Sequence, residues 1–169
     1  KDKATAEKIL ERLKSTKINV LLIGGTGVGK SSTIDALFRS NDRHANVKIG
    51  DKTSPETMEI TQYEMENLVI WDSPGLGDSP EKDKVHKNKI IKKLHEKDAG
   101  GQPLIDLVFL IIDAGSRDFG SAYTLVKEVV LPNVHGDDRD RLLVGINQAD
   151  QALKGHYWNK EENRPEPKL

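Results

Sequence analysis

Residues 24–31 form the segment whose residue types and spacing most directly suggest chemistry. They read GGTGVGKS and fit the pattern G-x-x-x-x-G-K-[ST] at every fixed position. The four glycines of this segment allow the backbone to curl so that successive N–H groups point inward at an anion. In such a loop we expect Lys30 to reach the β- and γ-phosphates of a nucleotide and the Ser31 hydroxyl to bind Mg²⁺. The segment therefore predicts a phosphate-binding loop.

The stretches on either side suit this loop. Residues 18–23 are apolar except for Asn19 and predict a buried strand, while residues 31–39 carry apolar side chains at helical spacing. A helix that begins near Lys30 adds free amides and the positive end of its dipole. A dinucleotide-binding turn is excluded by register, because a G-x-G-x-x-G count from Gly25 puts Lys30 where the third glycine must stand. The residues expected to contact phosphate are Gly25, Thr26, Gly27, Val28, Gly29, Lys30, Ser31 and Ser32.

A second candidate segment is Asp72-Ser73-Pro74-Gly75, which follows a predicted strand at residues 68–71. An aspartate at a strand end can hold Mg²⁺ through a water molecule, and the Gly75 amide can sense a γ-phosphate. On its own the pattern also fits an ordinary Pro-Gly turn. Its position on the strand that follows the phosphate-loop helix favours the nucleotide interpretation.

A third segment, Asn147-Gln148-Ala149-Asp150, follows a predicted strand at residues 141–146. The Asp150 carboxylate can accept two hydrogen bonds from the ring N–H and the exocyclic amine of guanine. Adenine lacks this pair of donors and would leave the buried carboxylate unpaired, so discrimination can be large. The segment predicts GTP as the nucleotide, with ATP hydrolysis as the alternative that competition binding would reveal.

These three segments, in this order, resemble the first, third and fourth motifs of translation-factor-related GTPases. The resemblance covers about residues 17–155 and is nearest to Era-like and septin-like G domains and a group of poorly characterised bacterial GTPases. It implies a six-stranded G domain that binds Mg-GTP and carries two nucleotide-sensing switch loops. The usual fourth motif is N-K-x-D, and Gln148 stands at the lysine position. We therefore expect guanine specificity with a somewhat weaker affinity.

The second motif of these GTPases is a threonine that closes on Mg²⁺ and the γ-phosphate. Thr57 best matches the family position, with Thr53 next and Thr61 as a further candidate. The resemblance thus implies Lys30, Thr57 and Gly75 as catalytic residues and Ser31, Thr57 and Asp72 as metal ligands. The fifth motif, a loop behind the base, is not found beyond Trp158.

The position after Gly75 bears on catalysis. Many GTPases carry a glutamine there to orient the attacking water, and this chain has Leu76, which cannot hydrogen-bond water. Gly27 occupies the place where some relatives bind K⁺ through an asparagine, so potassium stimulation is not predicted, and Arg43 and Arg117 are expected to be surface charges. We predict slow intrinsic GTP hydrolysis, accelerated by self-association or a partner across the nucleotide face. The alternative is a GTP-binding oligomerisation module with little catalysis.

The three motifs need a scaffold in which strands and helices alternate. Further strands are predicted at residues 58–64 and 104–112, and helices at 85–97 and 119–131, the latter with one side formed by Phe119, Tyr123, Val126 and Val130. This alternation indicates an α/β fold of three layers, a mainly parallel sheet with helices on both faces. Residues 1–16 are expected to contain an N-terminal helix, and residues 17–169 the G domain without its last strand and helix.

Composition excludes several other classes of function. The 169 residues hold 26 Lys and Arg against 27 Asp and Glu, so net charge gives no footprint for DNA, RNA or an anionic membrane. There is no cysteine, which excludes thiol chemistry and suits a reducing cytoplasm. We expect the five histidines to be solvated, Trp71 to be a core residue, Tyr157 and Trp158 to pack against a helix, and residues 163–169 to be a loop.

Overall fold

The computed structural model describes residues 17–40, 59–65, 67–116, 119–134 and 141–166. Several predictions fall outside these ranges. They are the N-terminal helix, the switch threonines Thr53 and Thr57, the arginines Arg43 and Arg117, and the histidines His44 and His135.

The described residues form a central sheet of five strands in the order β2-β3-β1-β4-β5. Its strands are β1 (Ile18–Gly24), β2 (Thr61–Glu64), β3 (Leu68–Asp72), β4 (Leu107–Asp113) and β5 (Leu142–Asn147). β1 runs parallel to both β3 and β4, and β4 runs parallel to β5, while β2 is antiparallel to β3. The prediction of a mainly parallel sheet is confirmed.

Helices follow the strands along the chain. Their bounds are α1 (Lys30–Ser40), α2 (Pro80–Leu94) and α3 (Gly120–Thr124), which continues as a π-helix over Leu125–Val130. Ala149–Gly155 form a short 3₁₀ helix that is interrupted by non-helical backbone at residues 152–154. Two short strands, β6 (Trp158–Asn159) and β7 (Arg164–Pro165), pair with each other. No helix in the described ranges is long and apolar enough to cross a membrane.

Apolar side chains cover both faces of the sheet, which places helices on both sides. Alternate residues of β1 point to opposite faces, so Leu21 and Ile23 join one core cluster and Leu22 joins the other. The first cluster includes Ile90 of α2 and Leu125 of the π-helix, whereas the second includes Ile34 of α1. The three-layer α/β prediction is therefore confirmed.

Helix α2 begins five residues earlier than predicted, at Pro80 instead of Val85. Ser79 is its N-cap, since the side-chain oxygen of Ser79 accepts a hydrogen bond from the Lys82 amide at 3.3 Å. Proline suits the first helical position because its fixed φ is helical and its missing N–H is not needed there. The prolines and glycines between residues 72 and 80 are typical of a loop, and for this reason the sequence predicts a later start of the helix.

The buried side of the helix at residues 120–130 also differs from the prediction. Phe119 and Tyr123 are exposed, whereas Leu125, Val129 and Val130 are buried. The Leu131 amide bonds to the Val126 carbonyl five residues back, which is the wider π-helical spacing. The extra residue in that turn shifts which side chains face the sheet. The predicted side is therefore wrong at Phe119 and Tyr123, whereas Val130 is buried and Val126 packs against the core.

The C-terminal part of the described chain contains a strand pair where a loop was predicted. Trp158 pairs with Pro165 and Asn159 pairs with Arg164. The Asn159 side-chain oxygen accepts hydrogen bonds from the amides of Glu161 and Glu162, both at 3.0 Å, and this stabilises the turn between β6 and β7. The prediction of a loop at residues 164–165 is wrong, because these residues form β7. The packing of Trp158 against a helix stays a prediction.

Candidate functional site

The predicted phosphate-binding loop at residues 24–31, here called the phosphate-type loop, connects the end of β1 to the start of α1. Gly27 has φ +77° and Gly29 has φ +98°, a left-handed backbone that favours glycine. A Cβ atom at Gly29 would collide with the side-chain nitrogen of Asn147. The spacing of glycines is thus required by both the curl of the loop and its close approach to a residue 118 positions away in the sequence.

Lys30 is buried within this loop. Its Nζ donates to the carbonyl oxygens of Gly25 at 2.9 Å and Gly24 at 3.2 Å. Burial lowers the pKa of Lys30, while the nearby carboxylates of Asp72 and Asp78 act in the opposite direction. The loop therefore holds a cationic side chain where an anion would bind.

Asp72 ends β3 beside the first turn of α1 and is 1% exposed. The Ser31 hydroxyl oxygen lies 3.4 Å from Asp72 Oδ2, and Asp72 Oδ1 has no partner among the described residues. Burial raises the pKa of Asp72 to about 6, with Lys30 and the Ser31 hydrogen bond acting against the rise. An unpartnered carboxylate oxygen next to a serine hydroxyl is a donor set that suits Mg²⁺.

The segment from Asp72 to Leu76 runs alongside the phosphate-type loop. The Thr26 amide donates to the Leu76 carbonyl at 2.8 Å, and Gly75 lies so close to Thr26 that a Cβ there would be 2.7 Å from the Thr26 Cα. The Leu76 side chain is 2% exposed and belongs to the core cluster with Ile90. Leu76 thus points into the core and cannot orient a water molecule.

His86 belongs to this region, although it is predicted to be solvated. It is 3% exposed, and its Nδ1 lies 2.9 Å from the Gly75 carbonyl oxygen. The prediction that all five histidines are solvated is therefore wrong at His86. The spacing of His86, Ile90 and Leu94 at i, i+4 and i+8 places all three on one side of α2 and could have revealed this burial.

The third motif connects to the phosphate-type loop through Asn147, the last residue of β5. Its Nδ2 donates to the Val28 carbonyl at 2.9 Å. Gln148 follows with φ +54°, and Asp150 lies half-buried in the 3₁₀ helix, where its Oδ2 accepts from Gln151 Nε2 at 2.6 Å. The left-handed turn at Gln148 separates the strand from the segment that carries Asp150.

The motifs begin at the carboxyl ends of β1, β3 and β5, which run parallel and therefore end at one edge of the sheet. Ligands of open α/β sheets bind outside this edge. The structure brings together the loop from Gly25 to Ser31 with Asp72, Gly75 and Asn147, and places Ser32 exposed in the first turn of α1. Thr57 lies outside the described residues.

The sequence is similar to parts of larger proteins. Translocase of chloroplast 101 of Physcomitrium patens is 35% identical over 103 residues, which are 60% of this chain and 11% of that protein. Septin-9 of Rattus norvegicus is 30% identical over 87 residues, covering 43% of this chain and 15% of that protein. The chain thus spans between 10% and 15% of the length of the curated relatives it matches.

The crystal structure of the G domain of the T. maritima FeoB iron transporter superposes with a TM-score of 0.48 at 20% identity, covering 81% of this chain and 76% of that one. The family model of the 50S ribosome-binding GTPases matches residues 19–148, which include the phosphate-type loop and the segment from Asp72 to Gly75. Because this match covers most of the chain, the protein belongs to the family of 50S ribosome-binding GTPases, as its P-loop GTPase motifs indicated.

Proposed function

We propose that this domain binds Mg-GTP and hydrolyses it slowly to GDP and phosphate, as a nucleotide-dependent switch. The observation that carries the proposal is the hydrogen bond from Asn147 Nδ2 to the Val28 carbonyl at 2.9 Å. It ties the base-recognition segment to the phosphate loop, so that one ligand can engage both. Intrinsic turnover is expected on the order of 10⁻⁴ to 10⁻² s⁻¹.

In this proposal the phosphate groups lie on the backbone amides from Gly25 to Ser32. Lys30, Gly75 and Thr57 contact the γ-phosphate region. The buried ammonium of Lys30 supports its part, because its Nζ is held by loop carbonyls instead of by solvent. These interactions position the phosphates and stabilise their charge, which is the main protein contribution to phosphoryl transfer.

The proposed Mg²⁺ ligands are Ser31 and Thr57, with Asp72 holding the ion through water. Asp72 Oδ1, which has no hydrogen-bond partner in the described part of the chain, supports this assignment. A buried carboxylate oxygen without a partner is costly unless a cation or water meets it. When held by these residues, Mg²⁺ would neutralise part of the negative charge of the phosphate groups.

Guanine specificity is assigned to Asp150, supported on the same segment by Asn147 and Gln148. The test measures affinities for GTP, ATP and xanthosine triphosphate in wild type and Asp150→Asn. We expect wild type to prefer GTP over ATP, and Asp150→Asn to weaken GTP strongly and favour the xanthosine nucleotide, whose hydrogen-bond pattern is reversed. Glu161→Gln, which neutralises an exposed carboxylate in the turn between β6 and β7, is the matched control and should bind as wild type does. Equal affinity of wild type for ATP and GTP would overturn the assignment.

The partner in this proposal is a second copy or an activating protein that meets the nucleotide face. The burial of Leu76 supports it, because the position that often carries a water-orienting glutamine has no polar side chain. A purely assembly role, in which nucleotide stabilises an oligomer, is the competing proposal. Sedimentation without nucleotide, with GDP and with GTP separates them, since a scaffold stays assembled after hydrolysis whereas a switch releases its partner.

The extent of the domain is also a proposal. We infer a G domain from residue 17 onward whose sheet continues beyond β5. Along the described sheet β5 is an edge strand, and its apolar side chains at Leu143, Val144 and Ile146 are exposed, Ile146 at 69%.

Lack of cysteine supports a reducing location such as the cytoplasm, which imaging of the tagged full-length protein would test.

A further inference from the structure

His86 is a buried ionisable side chain to which the proposed mechanism gives no role. It lies in the second turn of α2, and its only polar contact within the described ranges is the one from Nδ1 to the Gly75 carbonyl at 2.9 Å. A carbonyl oxygen only accepts hydrogen bonds, so Nδ1 must carry the hydrogen. The other nitrogen, Nε2, is buried and has no partner among the described residues. The ring therefore directs its donor at the phosphate-sensing segment.

The phosphate loop holds the same segment from the opposite side. The Thr26 amide donates to the Leu76 carbonyl at 2.8 Å, and the Leu76 amide lies 3.4 Å from the Gly24 carbonyl. Gly75 is packed against Thr26, since an added Cβ would lie 2.6 Å from the Thr26 hydroxyl oxygen. The Gly75–Leu76 peptide thus lies between the phosphate loop and α2, and His86 supplies the contact on the α2 side.

A second hydrogen bond joins α2 to this region but cannot replace the first. The Gly77 amide donates to the Asp83 carboxylate at 2.9 Å, in an exposed position two residues further along the chain. Water can take the place of an exposed partner at little cost. The His86 ring is enclosed, so removing its donor would leave the Gly75 carbonyl facing a side chain that offers nothing in return.

We propose that His86 is a positioning residue of the nucleotide site, which holds the Gly75–Leu76 peptide so that the Gly75 amide can meet a γ-phosphate. This inference rests on the proposed role of Gly75. Glycine has wide backbone freedom, so an unanchored Gly75 samples conformations in which its amide turns away. Fixing the Gly75 carbonyl removes those conformations before GTP binds. The segment then loses less conformational entropy when GTP binds. GDP has no γ-phosphate and does not use this contact.

The experiment measures the affinities of the full chain for GDP and for a non-hydrolysable GTP analogue, with Mg²⁺, in His86 variants. His86→Leu keeps the bulk but removes the donor, and we expect it to lower the ratio of GTP-analogue to GDP affinity roughly tenfold, with GDP affinity within about twofold of wild type. His86→Asn should restore the ratio, because the asparagine Nδ2 is bonded to Cγ as the histidine Nδ1 is. His86→Gln carries its amide one bond further out and should not restore it.

Ile90→Val is the control for general loosening of α2, since Ile90 is fully buried one turn along the same helix and makes no polar contact with Gly75. It should lower stability without changing the affinity ratio. The proposal is overturned if His86→Leu keeps the wild-type ratio, if Asn and Gln act alike, or if Ile90→Val shifts the ratio equally. A wild type without preference for the triphosphate would instead refute the γ-phosphate role of Gly75. If His86→Leu fails to fold, comparison of the affinity ratios of His86→Asn and His86→Gln still tests the proposal.

Discussion

Asp72 combines a proposed function with a cost to folding. Its pKa rises from 3.8 to about 6 because the carboxylate is buried, so the folded state holds the proton more tightly than the unfolded state. Protonated Asp72 therefore favours folding, and this contribution, fully present below about pH 4, is lost as the pH rises through about 6. A rise of about two pKa units corresponds to about 3 kcal/mol.

Asp72→Asn should therefore stabilise the domain above pH 7, by about 1–3 kcal/mol in the absence of Mg²⁺ and nucleotide, and leave stability near pH 4 unchanged. The physical reason is that asparagine keeps the shape but cannot ionise. Urea unfolding at a series of pH values from 4 to 8 measures the effect. Glu161→Gln removes an exposed carboxylate and should show the same dependence of unfolding free energy on pH as wild type. If the Asp72→Asn variant differed from wild type by the same free energy at every pH, the prediction would be contradicted. The same variant should lose Mg-dependent GTP binding.

Leu76 lies at the position where a glutamine would orient water, yet its side chain is part of the core. Leu76→Gln should therefore not accelerate GTP hydrolysis, and it should destabilise the domain by about 2–4 kcal/mol because an amide is buried without partners. Single-turnover hydrolysis and urea unfolding measure the two effects. Leu76→Met keeps an apolar side chain of similar volume and should cost less than about 1.5 kcal/mol. A faster Leu76→Gln variant of unchanged stability would show that this side chain can reach the phosphates.

At the scale of elements, the start of α2 determines how the segment after Gly75 is held. Ser79 caps the helix, Pro80 takes the first position, and Glu81 and Asp83 lie in the first turn near the positive end of the helix dipole. Asp83 also accepts the hydrogen bond from the Gly77 amide. Fraying of this first turn would release that contact.

Ser79→Ala should destabilise the domain by about 1 kcal/mol, because the Lys82 amide loses its partner. Ser79→Asp should retain most of the stability, since aspartate is also a good N-cap and suits the dipole. Thermal unfolding of the two variants beside wild type measures the difference. Equal loss in both variants would mean that the serine contributes through packing and not as a cap.

Features that depend on neighbouring residues could be predicted from the sequence, whereas features that depend on tertiary packing could not. The loop at residues 24–31 is predictable because its signature is local, a set of glycines with a strand before it and a helix after it. Its location at the carboxyl edge of the sheet follows from the parallel pairing of the strands. The burial of His86 depends on how α2 docks on the sheet, and the exposed face at Phe119 and Tyr123 depends on a π-helical turn. No local pattern encodes the π-helical turn. The spacing of His86, Ile90 and Leu94 does indicate a buried side of α2, although most of the residues between them are charged.

At the scale of the whole molecule, the GTPase family and the fold are confirmed, while the site residues and their roles remain proposals. Thr57 and Thr53 lie outside the described residues, so their choice rests on the family pattern alone. Guanine recognition by Asp150 and the partner across the nucleotide face depend on molecules that a single chain does not contain.

GTP turnover is expected to depend on protein concentration if a second molecule completes the site. Leu76 leaves the site without a glutamine at the usual place, so a water-orienting or charge-stabilising group must come from another part of the chain or from a second molecule. If a second copy supplies it across the nucleotide face, GTP hydrolysed per molecule should rise as concentration increases through the dissociation constant of the dimer. Turnover measured over a hundredfold concentration range, with sedimentation at the same concentrations, tests this. A slow rate that does not change with concentration would point to a different activating protein, whereas a fast and constant rate would mean that the chain itself carries the missing group.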